Sequence, residues 1–185
     1  MASKRKWAWV AGVAAIVAIG FWGLYSSGAV QRAATSSAAS GLTGNAGKPA
    51  PSFRLTDLQN RPVALADFKG QKVYVKYWAS WCPICLAGLD ELNQLSGEPH
   101  DYKVLSIVSP AFNGEQSRDD FVNWFSKRGY GNVEVLLDDG GTWAKEFGVK
   151  GYPTSYYIGS DGILVKGAPG HQSNEAIEQA FQTIH

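Results

Sequence analysis

A β-branched and aromatic run, Lys72–Trp78 (KVYVKYW), is followed closely by Cys82-Pro83-Ile84-Cys85, and that pair of features constrains the fold more than any other. The run has the composition of a central strand. Beyond it, apolar residues fall at Ile84, Leu86, Leu89, Leu92 and Leu95, which is helical spacing over 83–95, and Pro83 suits the first turn of a helix. The chain's two cysteines therefore sit together where a strand turns into a helix. Residues three apart on a helix are neighbours at roughly 5–6 Å between Cβ atoms. A disulfide needs about 3.5–4.5 Å, so bridging this pair requires only a small adjustment.

The rest of the chain alternates in the same way. Phe53–Leu55 and Pro62–Leu65 flank Asp57-Leu58-Gln59-Asn60 and predict a β-hairpin. Lys103–Ser109 and Val133–Leu137 read as further strands. A helix is expected from the Ser117 N-cap to about Lys127, and a short one over 142–147 that Gly148 ends. Thr154–Ile158 and Ile163–Lys166 flank Gly159-Ser160-Asp161-Gly162, a hairpin turn, and a last helix follows Ser173. Strands alternating with helices predict an α/β fold: a mixed sheet with a parallel core, an antiparallel edge, helices on both faces and an N-terminal β-hairpin extension.

Composition bounds the function. The chain has 185 residues, 45% of them hydrophobic, and a net charge of +1. One domain with a sizeable core fits that length, disorder does not fit that composition, and nothing electrostatic favours nucleic acid. The charge is uneven. Lys4, Arg5, Lys6 and Arg32 precede every acidic residue, which leaves the rest of the chain net acidic. Lys4–Lys6 run into an uncharged stretch from Trp7 to Tyr25, about 28 Å long as a helix, against a bilayer core of about 30 Å. Trp7 and Trp9 stand at one end and Phe21, Trp22 and Tyr25 at the other, as membrane interfaces favour. Residues 1–25 are expected to be a membrane anchor or signal segment with the domain outside the cell membrane. Cleavage and secretion is the alternative, but the apolar run is long for a signal peptide and Ala29-Val30-Gln31 is a poor cleavage site. Residues 26–47 are small and polar, a flexible linker, and a folded, monomeric domain is expected over 48–185.

Two cysteines exclude a disulfide scaffold. A structural bridge across so small a loop would stabilise little. A zinc site lacks two ligands, since His100, His171 and His185 have no paired spacing, and c-type haem attachment would need histidine where Leu86 stands. The favoured reading is a redox dithiol needing no metal or cofactor. Cys82, at the helix N-terminus, is expected to have a lowered pKa and to be the exposed attacking thiolate; Cys85, deeper, stays protonated and resolves.

On these residues the chain resembles the thioredoxin superfamily, in its extracytoplasmic TlpA/ResA-like branch, over about residues 47–183. Gly47–Phe53 (GKPAPSF) resembles that branch's opening. Tyr77-Trp78-Ala79-Ser80-Trp81-Cys82-Pro83-Ile84-Cys85 resembles its active site, and Gly148-Val149-Lys150-Gly151-Tyr152-Pro153-Thr154 its cis-proline segment. Cys85-Leu86, Ser109–Phe112 and Asp138–Thr142 are similar to the thioredoxin-like domain associated with bacterial methionine sulfoxide reductases.

The resemblance implies a thioredoxin fold, a cis Pro153, and support of the dithiol by Trp81, Pro83, Ile84 and Tyr152. It implies a protein-disulfide reductase, with an oxidised methionine sulfoxide reductase as a client and a CcdA/DsbD-type membrane carrier as the electron donor. An oxidase of secreted proteins is the rival. A metal-binding module is a remoter one, since copper carriers of this kind usually place three residues between their cysteines. Many relatives carry an acid six residues before the first cysteine or three after the second; here those positions are Lys76 and Gly88. Lys76 could accept the Cys85 proton if neutral, or favour the thiolate if charged; alternatively its head snorkels into solvent. Asp90 and Glu91 read as helix-surface acids. Pro83 and Ile84 offer the thiolate no side-chain donor, so a reducing couple is expected.

Overall fold

The computed structural model describes residues 47–185. The expected anchor and all but the last residue of the expected linker lie outside the described residues. Among the described residues no helix is long and apolar enough to cross a membrane.

Eight strands form one sheet in the order β1-β8-β7-β4-β5-β6-β2-β3. Their bounds are β1 Lys48–Pro49, β2 Arg54–Asp57, β3 Pro62–Ala64, β4 Lys72–Tyr77, β5 Tyr102–Val108, β6 Val135–Leu137, β7 Thr154–Ile158 and β8 Ile163–Pro169. The helices are α1 Pro83–Ala87, α2 Leu89–Gly97, α3 Arg118–Phe125, α4 Thr142–Glu146 and α5 Asn174–Phe181. Among the described residues only β4–β5 and β5–β6 pair in parallel. Antiparallel strands flank that core on both sides, not one. The β7–β8 hairpin joins β4 directly, and the β2–β3 hairpin joins β6 through Thr56↔Leu137 and Asp57↔Leu136. The two-residue strand β1, too short for any periodicity, pairs with β8.

Local chemistry sets the boundaries. Ser117 and Ser173 accept the backbone N–H of Asp120 and Ala176 and cap α3 and α5. Asp138 reaches across to cap α4, accepting from the N–H of Trp143 (3.1 Å) and Ala144 (2.7 Å). One boundary departs from the sequence reading. The helix expected over 83–95 breaks at Gly88, whose φ/ψ of −96°/8° ends α1 and opens α2. Its N–H turns back to the carbonyl of Cys85 (3.2 Å) in a tightened last turn.

The sheet separates two cores. On one face Leu89, Leu92 and Leu95 of α2, Phe121 and Phe125 of α3, and Ile177 and Phe181 of α5 pack on Tyr74, Val104, Val108 and Tyr157. On the other, Ala144 and Phe147 near α4 pack with Phe53, Val73, Val75, Tyr77, Leu105 and Tyr156. Helices thus cover both faces. The cysteines belong to the first core.

Candidate active site

Strand β4 delivers the chain to the site. Side chains alternate across a strand, so Tyr74, Lys76 and Trp78 share the face that α1 and α2 cover. After Tyr77 the backbone stays tied to β5 for one more residue, the Trp78 N–H donating to the Ile107 carbonyl (3.1 Å). Trp78 is buried against Phe121 and Phe125, with ring centroids 5.8 and 5.9 Å away. Its role is packing, which anchors the turn that follows.

Cys82 is the N-cap of α1. Its Sγ accepts the Cys85 N–H at 3.3 Å, and its carbonyl accepts from Leu86. Pro83 follows in the first turn, where its missing N–H costs nothing. The Cys82 thiol also reaches the Tyr152 carbonyl at 3.6 Å. The Tyr152–Pro153 bond is cis and Pro153 is buried, as the resemblance implied. The two cysteines are reduced. Cys82 is less open than expected, only 5% exposed, because the 152–153 segment lies over it; Cys85 is 1% exposed. The exposed groups at the mouth are Trp81 (51%) and Ile84 (59%). Trp81 meets Tyr152 edge-on at 5.9 Å. The site-supporting residues read from the sequence therefore gather around one dithiol.

Burial pushes the Cys85 thiol up to about 12, helped by its hydrogen bond with Cys82 and opposed by the Ala79 backbone and Lys76. Lys76 does not snorkel. It is 3% exposed, and burial lowers its pKa, against the raising influence of Cys85, Glu91 and Cys82. Burial makes the charged form of this amine costly, and the partial compensation comes from Cys85, Glu91 and Cys82.

Three further residues, Glu115, Glu91 and His171, complete the site, and the sequence reading gave none of them a part in it. Glu115, buried, accepts the Ser80 N–H and the Ser80 hydroxyl, both at 2.6 Å, and so holds the turn before Cys82. Glu91, read as a surface acid, contacts His171, with Nε2 to Oε2 at 3.1 Å. The Glu91–His171 pair left no local signal, because its members are 80 residues apart. Glu115 left none: its partner is 35 residues away.

A family model described as Redoxin matches residues 45–184. The chain is 33% identical over 138 residues to the thiol-disulfide oxidoreductase ResA of Bacillus thuringiensis subsp. konkukian, covering 75% of this chain and 78% of that protein. Among solved structures, it is similar to the pneumococcal exposed lipoprotein thioredoxin of Streptococcus pneumoniae, with TM-score 0.70 and 42% identity over 72% of this chain and all of that one. The N-terminal domain of PilB from Neisseria gonorrhoeae aligns with TM-score 0.65 and 26% identity, covering 70% of this chain and 87% of that domain. The thioredoxin fold is thereby established, and the chain belongs to the Redoxin family, as a thiol–disulfide oxidoreductase of the ResA-like branch of the thioredoxin superfamily.

Proposed function

We propose that the chain is an extracytoplasmic, membrane-tethered reductase of protein disulfides, with Cys82 as the attacking and Cys85 as the resolving cysteine. The observation that carries this reading is the unequal placement of two sulfurs within one helical turn. Cys82 Sγ lies at a helix N-terminus beside the exposed Trp81 and Ile84, while Cys85 is deeper and held protonated. The Cys82 thiolate attacks a client disulfide and forms a mixed disulfide. Cys85 then attacks Cys82 Sγ, closing the 82–85 bridge and releasing the client as a dithiol. Pro153 has no N–H, and in this reading a client strand would dock against the Tyr152–Pro153 segment beside Cys82, with Trp81 and Ile84 giving it an apolar footing.

A CcdA/DsbD-type membrane carrier would return the dithiol to its reduced state. An oxidised methionine sulfoxide reductase is the proposed client, supported by the Ser109–Phe112 and Asp138–Thr142 resemblance. Both segments also meet at the site. Asp138 holds the N-terminus of α4 and takes the Ser109 hydroxyl at 3.3 Å, beside Tyr152, which Ser109 and Asn113 also contact. Tethering outside the cell membrane rests on Lys4–Lys6 before the Trp7–Tyr25 run, and accords with the word "exposed" in the name of the pneumococcal relative.

Reduction is favoured over oxidation because neither Pro83 nor Ile84 carries a side-chain donor for the thiolate. Equilibration with glutathione tests the direction. A potential more positive than about −180 mV would make the oxidase reading the better one. Cys85→Ser, expressed in the native envelope, is expected to trap mixed disulfides, with a methionine sulfoxide reductase among the trapped clients. Trapping by Cys82→Ser instead would reverse the two roles.

A further inference from the structure

Gly88 leaves an opening beside the dithiol. A Cβ there would lie 2.8 Å from both Nδ1 and Cε1 of His171 and 3.5 Å from Nζ of Lys76. The imidazole and the buried amine thus border the same small space, at the break between α1 and α2. The other side of the ring is held by Glu91 through the 3.1 Å contact at Nε2. Asn174 donates to the Glu91 carbonyl at 3.0 Å and fastens this part of α2 to the start of α5. Lys76 is buried, whereas the His171 and Glu91 side chains are 32% and 49% exposed. The groups therefore form a graded series from the dithiol to solvent. The charged or titratable groups facing Lys76 are Cys82 and Cys85 from α1, Glu91 from α2, and His171 from the segment before α5. Its register neighbours on β7 and β5 are the neutral Ser155 and Ser106.

We propose that Lys76 is the proton acceptor for Cys85 and that His171, oriented by Glu91, carries that proton between Lys76 and solvent across the space that Gly88 keeps open. The inference rests on Cys85 being the resolving cysteine. In the mixed disulfide the Cys85 thiol gives its proton to Nζ of Lys76, which reacts in its amine form. The freed electron pair on Cys85 Sγ forms the bond to Cys82 Sγ. The bond between Cys82 and the client sulfur breaks, and the client sulfur leaves with that pair as a thiolate. The dithiol is oxidised by two electrons and the client disulfide reduced by two. The proton on Lys76 moves to the imidazole and out to water or to the leaving thiolate. Lys76 accepts the proton and His171 relays it; Glu91 and Gly88 are positioning residues. Burial depresses the amine, and the nearby sulfurs and Glu91 oppose the depression.

Single-turnover reduction of insulin by the reduced full chain, quenched with acid and trapped by alkylation, separates mixed-disulfide formation from its resolution. Lys76→Met is expected to slow resolution roughly 10²-fold, the usual scale for a general base, and to flatten its pH profile. His171→Ala and Glu91→Gln are expected to slow resolution about tenfold, within the range of acid–base effects, and to leave formation unchanged. Imidazole should restore the His171→Ala variant but not Lys76→Met. Gly88→Ala, whose methyl meets the ring, should behave like His171→Ala. Unchanged resolution in both His171→Ala and Glu91→Gln would overturn the route, and unchanged resolution in Lys76→Met would overturn the acceptor. If Cys85→Ser fails to accumulate any mixed disulfide, the underlying assignment of the cysteines falls instead, and the two failures are told apart.

Discussion

The two faces of β4 are built from one hexapeptide and do opposite things. Val73, Val75 and Tyr77 enter a core closed by Phe147 and Tyr156, where ring centroids lie 5.5 Å (Tyr77–Phe147) and 4.9 Å (Phe147–Tyr156) apart. Tyr74, Lys76 and, one residue on, Trp78 face the dithiol, and among them is a buried amine. The first face is packing alone. The second buries an amine that is costly to charge in the middle of the sheet, and its neighbours on either side, Tyr74 and Trp78, are large and well packed. The difference teaches where such a fold can place chemistry. A reactive group that raises the energy of the native state is tolerable on a strand whose opposite face is already secure.

Substitutions on the two faces should therefore separate activity from stability. The largest effect is expected from Cys82→Ser, which removes the attacking sulfur. Insulin reduction should fall to background while the thermal midpoint barely moves, because a serine fills nearly the same volume at a helix cap that serine itself favours. Phe147→Ala is its counterpart across the sheet. It should cost about 3–5 kcal/mol in chemical denaturation, the usual loss for a buried aromatic. The folded protein should keep its insulin-reduction rate at low temperature. A rate that fell along with stability would show that the two faces are mechanically coupled, and the comparison would fail.

The faces also differ in how well the sequence displayed them. The packing face was legible through the alternation in KVYVKYW, and local features elsewhere, the cap at Ser117 and the glycine turn at 159–162, also reappear in the structure, because each is set by residues within a few positions. The dithiol was equally plain, since the motif is local. What was not legible came from distance or from absence. Glu115 holds Ser80 across 35 residues, and His171 reaches Glu91 across 80. Gly88 matters through a side chain it lacks. The helix break there had no proline or polar cluster to announce it. Lys76 could be placed on the strand but not resolved between buried and snorkelling, because that choice depends on how α1 and α2 cover it.

Lys76→Met sharpens the comparison through pH. Burial holds the amine below its ordinary value of 10.5, so the native state binds fewer protons than the unfolded chain at pH values between the lowered native pKa and 10.5. The destabilisation from Lys76 is thus full below its native pKa and fades as pH rises towards 10.5. The methionine variant is expected to be more stable than the parent, with the widest gap at the acid end and none above pH 10.5. Urea denaturation of the oxidised protein across pH checks this without interference from thiol titration. A gap that widened with rising pH would mean that Lys76 is stabilised as a cation, as a paired charge would be, and the dithiol face would then carry no destabilising group.

The smallest predicted effect compares two tyrosine hydroxyls on the two faces of the same strand. Tyr74, on the dithiol face, shares a 2.7 Å hydrogen bond with Ser155, and both are fully buried. Tyr77, on the packing face, buries its hydroxyl with no hydrogen-bond partner among the described residues. Tyr77→Phe removes a desolvated, unpaired group and should be neutral or stabilising by up to about 1 kcal/mol. Tyr74→Phe removes one partner and strands the other, since Ser155 has no access to water, and should cost about 1–3 kcal/mol. Differential scanning calorimetry of the two single variants gives the sign of each change directly. Because phenylalanine keeps the ring in both cases, the contrast isolates the hydroxyl. Equal losses at the two positions would show that Tyr77 is paired in solution, and the packing face would then contain a polar network of its own.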